Sequence, residues 1–261
     1  MLPALRRARI IELLRRDGAV GLKEMSQALG ASVSTLRRDV DYLCEQNHLA
    51  RTHGGAVLTD RLAGVELERD IASELESGAK RVIGQRAAAL IQPGQTVILD
   101  SGTSTAAAAR MARDRGVAFT AITNDFTIAS ILSESPSIKV LVTGGMVRGG
   151  TSTLLGVDTM HYIRRLRADL AFVGTHALSK AEMSDTSIEL AELKRAIIAA
   201  SDCPVLLADS SKIFSRAFCG FGCVSDMDHL ITDSRLLPDR RAQLEENGLR
   251  VDVVPLGSEC A

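Results

Sequence analysis

Residues 29–57, LGASVSTLRRDVDYLCEQNHLARTHGGAV, decide how this chain is read. Gly30 ends a short helix running from about Leu22 to Leu29, because glycine takes the left-handed turn at little cost. Ser32 or Ser34 can cap a third helix whose apolar face is Leu36, Val40 and Leu43. That spacing leaves Ser34, Thr35, Arg37, Arg38 and Asp41 off the core stripe. An arginine can bind guanine bidentately or pair with a phosphate, and hydroxyls at a helix start can hold phosphate oxygens. Beyond Asn47 and His48, the runs Leu49–Thr52 and Ala56–Leu58, joined by His53-Gly54-Gly55, form a hairpin wing with Arg51 and His53 at its tip. Upstream, Pro3 suits a first helical turn, and Leu5, Ile10, Leu13 and Leu14 recur at near-helical spacing up to Asp17-Gly18. The pattern is a winged helix-turn-helix that places one helix in the major groove of double-stranded DNA. An ordinary three-helix bundle with surface arginines would show the same spacing.

The bulk properties bound the alternatives. At 261 residues the chain suits one small and one medium domain. Aromatic content of 3% with no Trp argues against base stacking of the kind single-strand and RNA binders use. The net charge of -1 hides an asymmetry: residues 1–16 hold Arg6, Arg7, Arg9, Arg15 and Arg16 against the single acid Glu12. This is either a basic patch or a solvated helix face. No stretch reaches the ~18 apolar residues of a membrane span, and the Arg-rich start lacks a signal-peptide core. Cys44, Cys203, Cys219, Cys223 and Cys260 are scattered, as expected for reduced thiols in a cytoplasmic protein.

Residues 59–78 are charged, lightly apolar and read as a linker. From residue 79, helical and strand patterns alternate, which predicts a mainly parallel α/β sheet. Expected strands are Thr96–Asp100, Phe119–Thr123, Lys139–Thr143, Leu170–Gly174, Val205–Asp209, His229–Thr232 and Arg250–Val254, with a helix over Arg81–Ile91. Ligands of such sheets sit beyond the carboxyl ends of the strands. There, Asp100-Ser101-Gly102-Thr103-Ser104-Thr105 puts hydroxyls and backbone N–H groups at a helix start, either a phosphate cradle or a plain capped turn. Asn124 and Asp125 can bond ligand hydroxyls or, more simply, cap a helix. Gly144 and Gly145 would let backbone approach a ligand closely. Glu192 and Lys194 fit intrahelical surface pairs or contacts to a sugar hydroxyl and an anion. Asp209 and Lys212 follow an apolar strand, where Lys212 supplies a second cation or sits in solvent.

Two motifs are rejected. Residues 145–152 have P-loop glycine spacing but Thr151 where Lys is required, so nucleotide hydrolysis is excluded. Cys219, Cys223 and His229 lack a fourth zinc ligand, so no metal or other cofactor is expected.

Leu29–Ser32, Thr35–Val40, Leu43 and Arg51–Ala56 together resemble the DNA-binding domain of DeoR-type bacterial regulators. Asp100–Thr105, Thr123-Asn124, Gly144-Gly145, Ala168-Asp169, Glu192–Arg195, Ala208–Lys212 and Ile231–Asp233 resemble, in the same order, the sensor domain of those regulators. The resemblance implies a winged helix-turn-helix over residues 1–58 and a sensor over 79–261, with a sheet similar to ribose-5-phosphate isomerases and CoA transferases. It further implies a repressor released by a phosphorylated sugar, working as a homodimer or homotetramer. DNA contacts fall to Ser32, Ser34, Thr35, Arg37, Arg38, Arg51 and His53. Phosphate contacts fall to residues 101–105; Asp100, Asn124, Asp125, Glu192, Lys194, Asp209 and Lys212 become candidates for sugar or phosphate. A sugar-phosphate isomerase with an accessory domain is the alternative, but no spacing picks out a catalytic base.

Overall fold

The computed structural model describes residues 1–59 and 67–257. The chain divides into two compact units, Met1–Ser77 and Gly78–Ala261.

In the first unit, α1 (Pro3–Asp17), β1 (Ala19–Gly21), α2 (Leu22–Leu29), α3 (Val33–Glu45), β2 (Leu49–Thr52) and β3 (Gly55–Leu58) are followed by α4 (Arg69–Glu74). Ile10, Ile11, Leu14, Met25, Leu36, Val40 and Leu43 close one core, so the predicted apolar stripe of α3 does face inward. Gly30 takes φ 61 at the α2–α3 turn. The wing has a third strand that residue patterning misses, because β1 is only three residues long. It pairs antiparallel with β3, with Gly21 opposite Gly55. Here a side chain has no room: a Cβ on Gly55 would stand 2.2 Å from the Val20 carbonyl oxygen. The segment expected as a linker differs over its described part. α4 buries Ile71, and Leu75 follows it into the same core. Two apolar residues one turn apart suffice to dock a short helix, although the surrounding charges disguise them.

The second unit begins with α5 (Ser77–Leu90), four residues earlier than periodicity suggests. Then come β4 (Thr96–Leu99), α6 (Thr103–Arg115), β5 (Phe119–Thr123), α7 (Phe126–Ser133), β6 (Ile138–Val142), a hairpin of β7 (Met146–Val147) and β8 (Leu154–Leu155), α8 (Val157–Arg164) and β9 (Leu170–Gly174). The remainder is β10 (Ala177–Leu178), β11 (Glu182–Asp185), α9 (Ile188–Ala199), β12 (Pro204–Leu207), β13 (Cys219–Cys223), β14 (His229–Asp233), α10 (Pro238–Glu245) and β15 (Arg250–Val254). Seven strands form one sheet in the order β15-β14-β12-β9-β4-β5-β6, and every pairing is parallel. A three-stranded sheet of β10, β11 and β13 stands apart and absorbs the Cys-Gly-Phe-Gly-Cys run as a strand.

Both faces of the large sheet are covered. Val97 and Leu99 pack with Ile83, Ala87 and Ala108, while Ile98 between them packs with Ile163, Ala191 and Ile197. The alanine-rich start of α6 has a cause in this layer. Gly84 of α5 lies so near α6 that a Cβ would be 2.7 Å from the Ala107 carbonyl carbon. The chain fills the sheet outward from β4, first towards β6 and then, from β9, towards β15. The reversal therefore lies between β4 and β9, the switch point at which open parallel sheets bind their ligands. No helix among the described residues is long and apolar enough to cross a membrane.

Candidate functional sites

The start of α3 is a cluster of hydroxyls. Ser32 caps the helix by accepting from the Thr35 N–H at 3.2 Å. Its Oγ lies 3.0 Å from Ser34 Oγ and 2.9 Å from Thr35 Oγ1. Arg37 and Arg38 follow on the exposed side of the helix and form no ion pair among the described residues. Asp39 behaves differently. It is buried, accepting from Arg6 Nε at 2.5 Å and Arg7 Nε at 3.1 Å. The Arg7 guanidinium also stacks 3.4 Å above the Tyr42 ring.

Those contacts resolve the basic start of the chain. Arg6 and Arg7 anchor α1 to α3, Arg9 pairs with Glu12 and Arg16 with Asp17, so most of that charge serves structure and not a patch. Arg51 departs from its expected place at the wing tip: it lies within β2 and pairs with Asp41 of α3. His53 does occupy the turn and is exposed. Asp39 lies three residues from Leu36 and next to Val40, so helical spacing alone puts it on the buried stripe.

In the second unit the switch point between β4 and β9 gathers several of the expected groups. Asp100 is fully buried just past β4 and accepts from the Gly174 N–H at 3.2 Å. The Lys194 ammonium, also buried, reaches in from α9 to donate to Asp100 and, at 2.9 Å, to the Gly174 carbonyl. Asp185 of β11, which no sequence signal marked, lies 3.5 Å from the same ammonium. Burial works against the charged form of Lys194, but Asp100 and Asp185 outweigh it and hold its pKa above the ordinary lysine value. Lys194 is therefore a neutralised structural cation. Lys212 donates to the Thr175 carbonyl at 2.9 Å, on the other side of the β9 end.

The loop from Ser101 to Thr105 leads into α6. Gly102, with φ 133, is the cap residue and has no side-chain cap, leaving the first turn open to an anion. Thr105 donates to the Gly102 carbonyl at 2.9 Å, and Thr103 is partly exposed. Ser104 Oγ and Asn124 Oδ1 are buried without a hydrogen-bond partner among the described residues.

Other expected contacts lie elsewhere. Asp125 caps α7, accepting from Thr127 N–H at 2.8 Å and Ile128 N–H at 3.1 Å. Asp209 caps the short turn Ser210–Lys212, accepting from the Ser211 N–H at 3.1 Å. Gly145 is needed for packing, since a Cβ there would lie 2.2 Å from Thr159 Oγ1. Gly144, with φ 72, has open space beside it, while its carbonyl accepts from Thr159. Glu192 pairs with Arg195 on the outer side of α9. Together with Arg164 and Arg167 they line a shallow cavity of about 340 Å³. Arg164 ends α8, and its charge suits the negative end of a helix dipole.

Comparison with known proteins agrees with both halves. Residues 6–61 match the DeoR-like helix-turn-helix domain, and residues 75–234 match the DeoR C-terminal sensor domain. The chain is 33% identical over 254 residues to the HTH-type transcriptional regulator GlpR of Haloferax volcanii, an alignment covering 96% of this chain and 98% of that protein. It is 29% identical over 244 residues to the glycerol-3-phosphate regulon repressor of Escherichia coli K12, covering 90% and 96% respectively. Among solved structures, ribose 5-phosphate isomerase A of Neisseria gonorrhoeae aligns with a TM-score of 0.40 at 16% identity, over 56% of this chain and 55% of that one.

Proposed function

We propose that this chain, which belongs to the DeoR family of transcriptional regulators, represses an operon for sugar or polyol breakdown and leaves its operator when a phosphorylated sugar or polyol binds the sensor domain. One observation carries the DNA half: Arg37 and Arg38 stand exposed on the helix that follows the Gly30 turn, with no carboxylate holding them among the described residues. Ser32, Ser34 and Thr35 hold backbone phosphates at the start of that helix, and His53 reaches the backbone from the wing. Arg51 acts through Asp41 unless it exchanges that partner for phosphate. One short helix reads few base pairs, so two or more copies pair to read a repeated half-site.

The sensor half takes the phosphate on the loop Ser101–Thr105 at the start of α6. Asn124 Oδ1 and Ser104 Oγ, buried without partners among the described residues, supply contacts to phosphate or sugar, and Lys212 adds a cation at the rim. Asp100, Asp185 and Lys194 lie beside that loop as a buried ion cluster in which Lys194 has no free charge to offer an anion. The ligand weakens DNA binding only by preferring an arrangement that mismatches the half-site spacing. A regulator named for the glycerol-3-phosphate regulon among the relatives supports an effector of this class.

An enzyme reading needs a free carboxylate base near the substrate carbon. Asp100 is spent on Lys194 and Gly174, and Glu192 on Arg195, so neither serves as one. These engagements favour a sensor built on the sheet over a catalyst. A thermal-shift screen against sugar and polyol phosphates tests this. A true effector at ~100 times its Kd adds roughly 2.7 kcal/mol of stability. A panel without a single stabilising compound, or turnover of an aldose or ketose phosphate, would contradict the reading.

A further inference from the structure

The described part of the stretch between the wing and the sensor domain is tied to the recognition helix. α4 is held at its carboxyl end by Ile71 and Leu75 in the core and by the Glu76 N–H, which donates to Glu12 at 2.8 Å. At its other end Glu68, the residue ahead of α4, accepts a hydrogen bond from the Tyr42 hydroxyl of α3. The Tyr42 ring carries the Arg7 guanidinium, and Arg7 with Arg6 grips Asp39. Asp39 follows Arg37 and Arg38 in the chain. A continuous series of contacts therefore runs from Glu68 to the residue beside the two exposed arginines.

We propose that Glu68 and Tyr42 are positioning residues for operator recognition, fixing the rotation of α3 so that Arg37 and Arg38 face the groove together. This rests on the repressor reading above. The core contacts of α3 are Leu36, Val40 and Leu43, and apolar packing alone is non-directional. The polar contacts of Asp39 and Tyr42 are directional and fix the helix about its own axis. Bidentate recognition of a base edge tolerates little misplacement, so loss of the outer contact lowers affinity for the chosen sequence more than for DNA in general.

The test uses the full-length protein and a fluorescent duplex that the wild-type protein selects from a random pool. Glu68→Ala removes the acceptor. Tyr42→Phe removes the donor while keeping the ring over Arg7. Glu68→Gln keeps an acceptor oxygen and loses only the charge. Each of the first two variants is expected to weaken binding to the selected duplex by about fivefold, the worth of one hydrogen bond. The double variant should be no weaker than either single one, and Glu68→Gln should bind like wild type. Affinity for a scrambled duplex should stay unchanged, and the melting temperature should fall by no more than a few degrees, equally in the two variants. Wild-type affinity in both Glu68→Ala and Tyr42→Phe would overturn the assignment, as would an equal loss on the scrambled duplex or a Glu68→Gln as weak as Glu68→Ala. A wild-type protein that selects no duplex would overturn the repressor reading and this inference with it.

Discussion

Arg37 and Arg38 stand exposed on α3 without an ion pair among the described residues, whereas Lys194 on α9 is buried between Asp100 and Asp185. The difference follows from what each must do. A cation that meets DNA trades water and counterions for phosphate or guanine, so it has to be unengaged beforehand. A cation inside a fold cannot be left alone, since an uncompensated buried charge costs several kcal/mol. Lys194 thus lends its surroundings no free positive charge, and in the proposed function an anion is held instead by the backbone and hydroxyls of the loop Ser101–Thr105, with Lys212 at the rim.

The largest effect that would break this contrast is in the sensor domain. Lys194→Met leaves Asp100 and Asp185 facing each other without a counter-ion and should cost about 3–5 kcal/mol of that domain's stability in urea unfolding. Unchanged stability with lost effector binding would instead make Lys194 a ligand contact. Arg37→Ala and Arg38→Ala should do the opposite. Each is expected to weaken operator binding by about 1–3 kcal/mol in an anisotropy titration, with stability held within about 0.5 kcal/mol. Asn124→Ala sharpens the comparison within the sensor. Its Oδ1 has no partner among the described residues and its Nδ2 makes only a long bond, 3.5 Å, to the Leu154 carbonyl, so unfolding should shift little while effector affinity falls by about 1–2 kcal/mol, read by calorimetry. The smallest effect is shared by the two units. Burial lowers the pKa of His48 in one and of His229 in the other. The unfolded chain takes up those protons near the ordinary histidine pKa of about 6.5 and the folded chain only at lower pH, so stability is full above that range and falls as pH drops through it. Urea midpoints measured between about pH 8 and about pH 5.5 should decline, and His48→Gln should flatten the decline for the small unit only.

How much of this could be read in the residues depended on period and length. The stripe Leu36, Val40 and Leu43 announced α3, and apolar runs with turn residues announced the seven parallel strands to within a residue or two. β1 escaped because three residues carry no period, although Gly55 marks where its backbone crowds the wing. Glu192 and Lys194 look like one motif in the chain, yet α9 separates them. Lys194 falls on the buried stripe with Leu190, Leu193 and Ile197, while Glu192 faces out to Arg195. The same helical reading would have shown Asp39 to be inward. The pairing of Lys194 with Asp100 was out of reach, since they stand 94 positions apart and meet only through the sheet. Asp185 likewise becomes relevant only because β11 ends beside α9.

The central claim is that one chain couples two exposed arginines to a pocket for a phosphorylated metabolite. It is tested most directly by titrating full-length protein into a fluorescent duplex selected by that protein, with and without each member of a sugar- and polyol-phosphate panel. The account predicts sequence-specific binding at low salt that at least one member of the panel weakens, and that Arg37→Ala weakens by about 1–3 kcal/mol with no compound present. Binding that is indifferent to sequence, or equally tight in the presence of every compound, would contradict it.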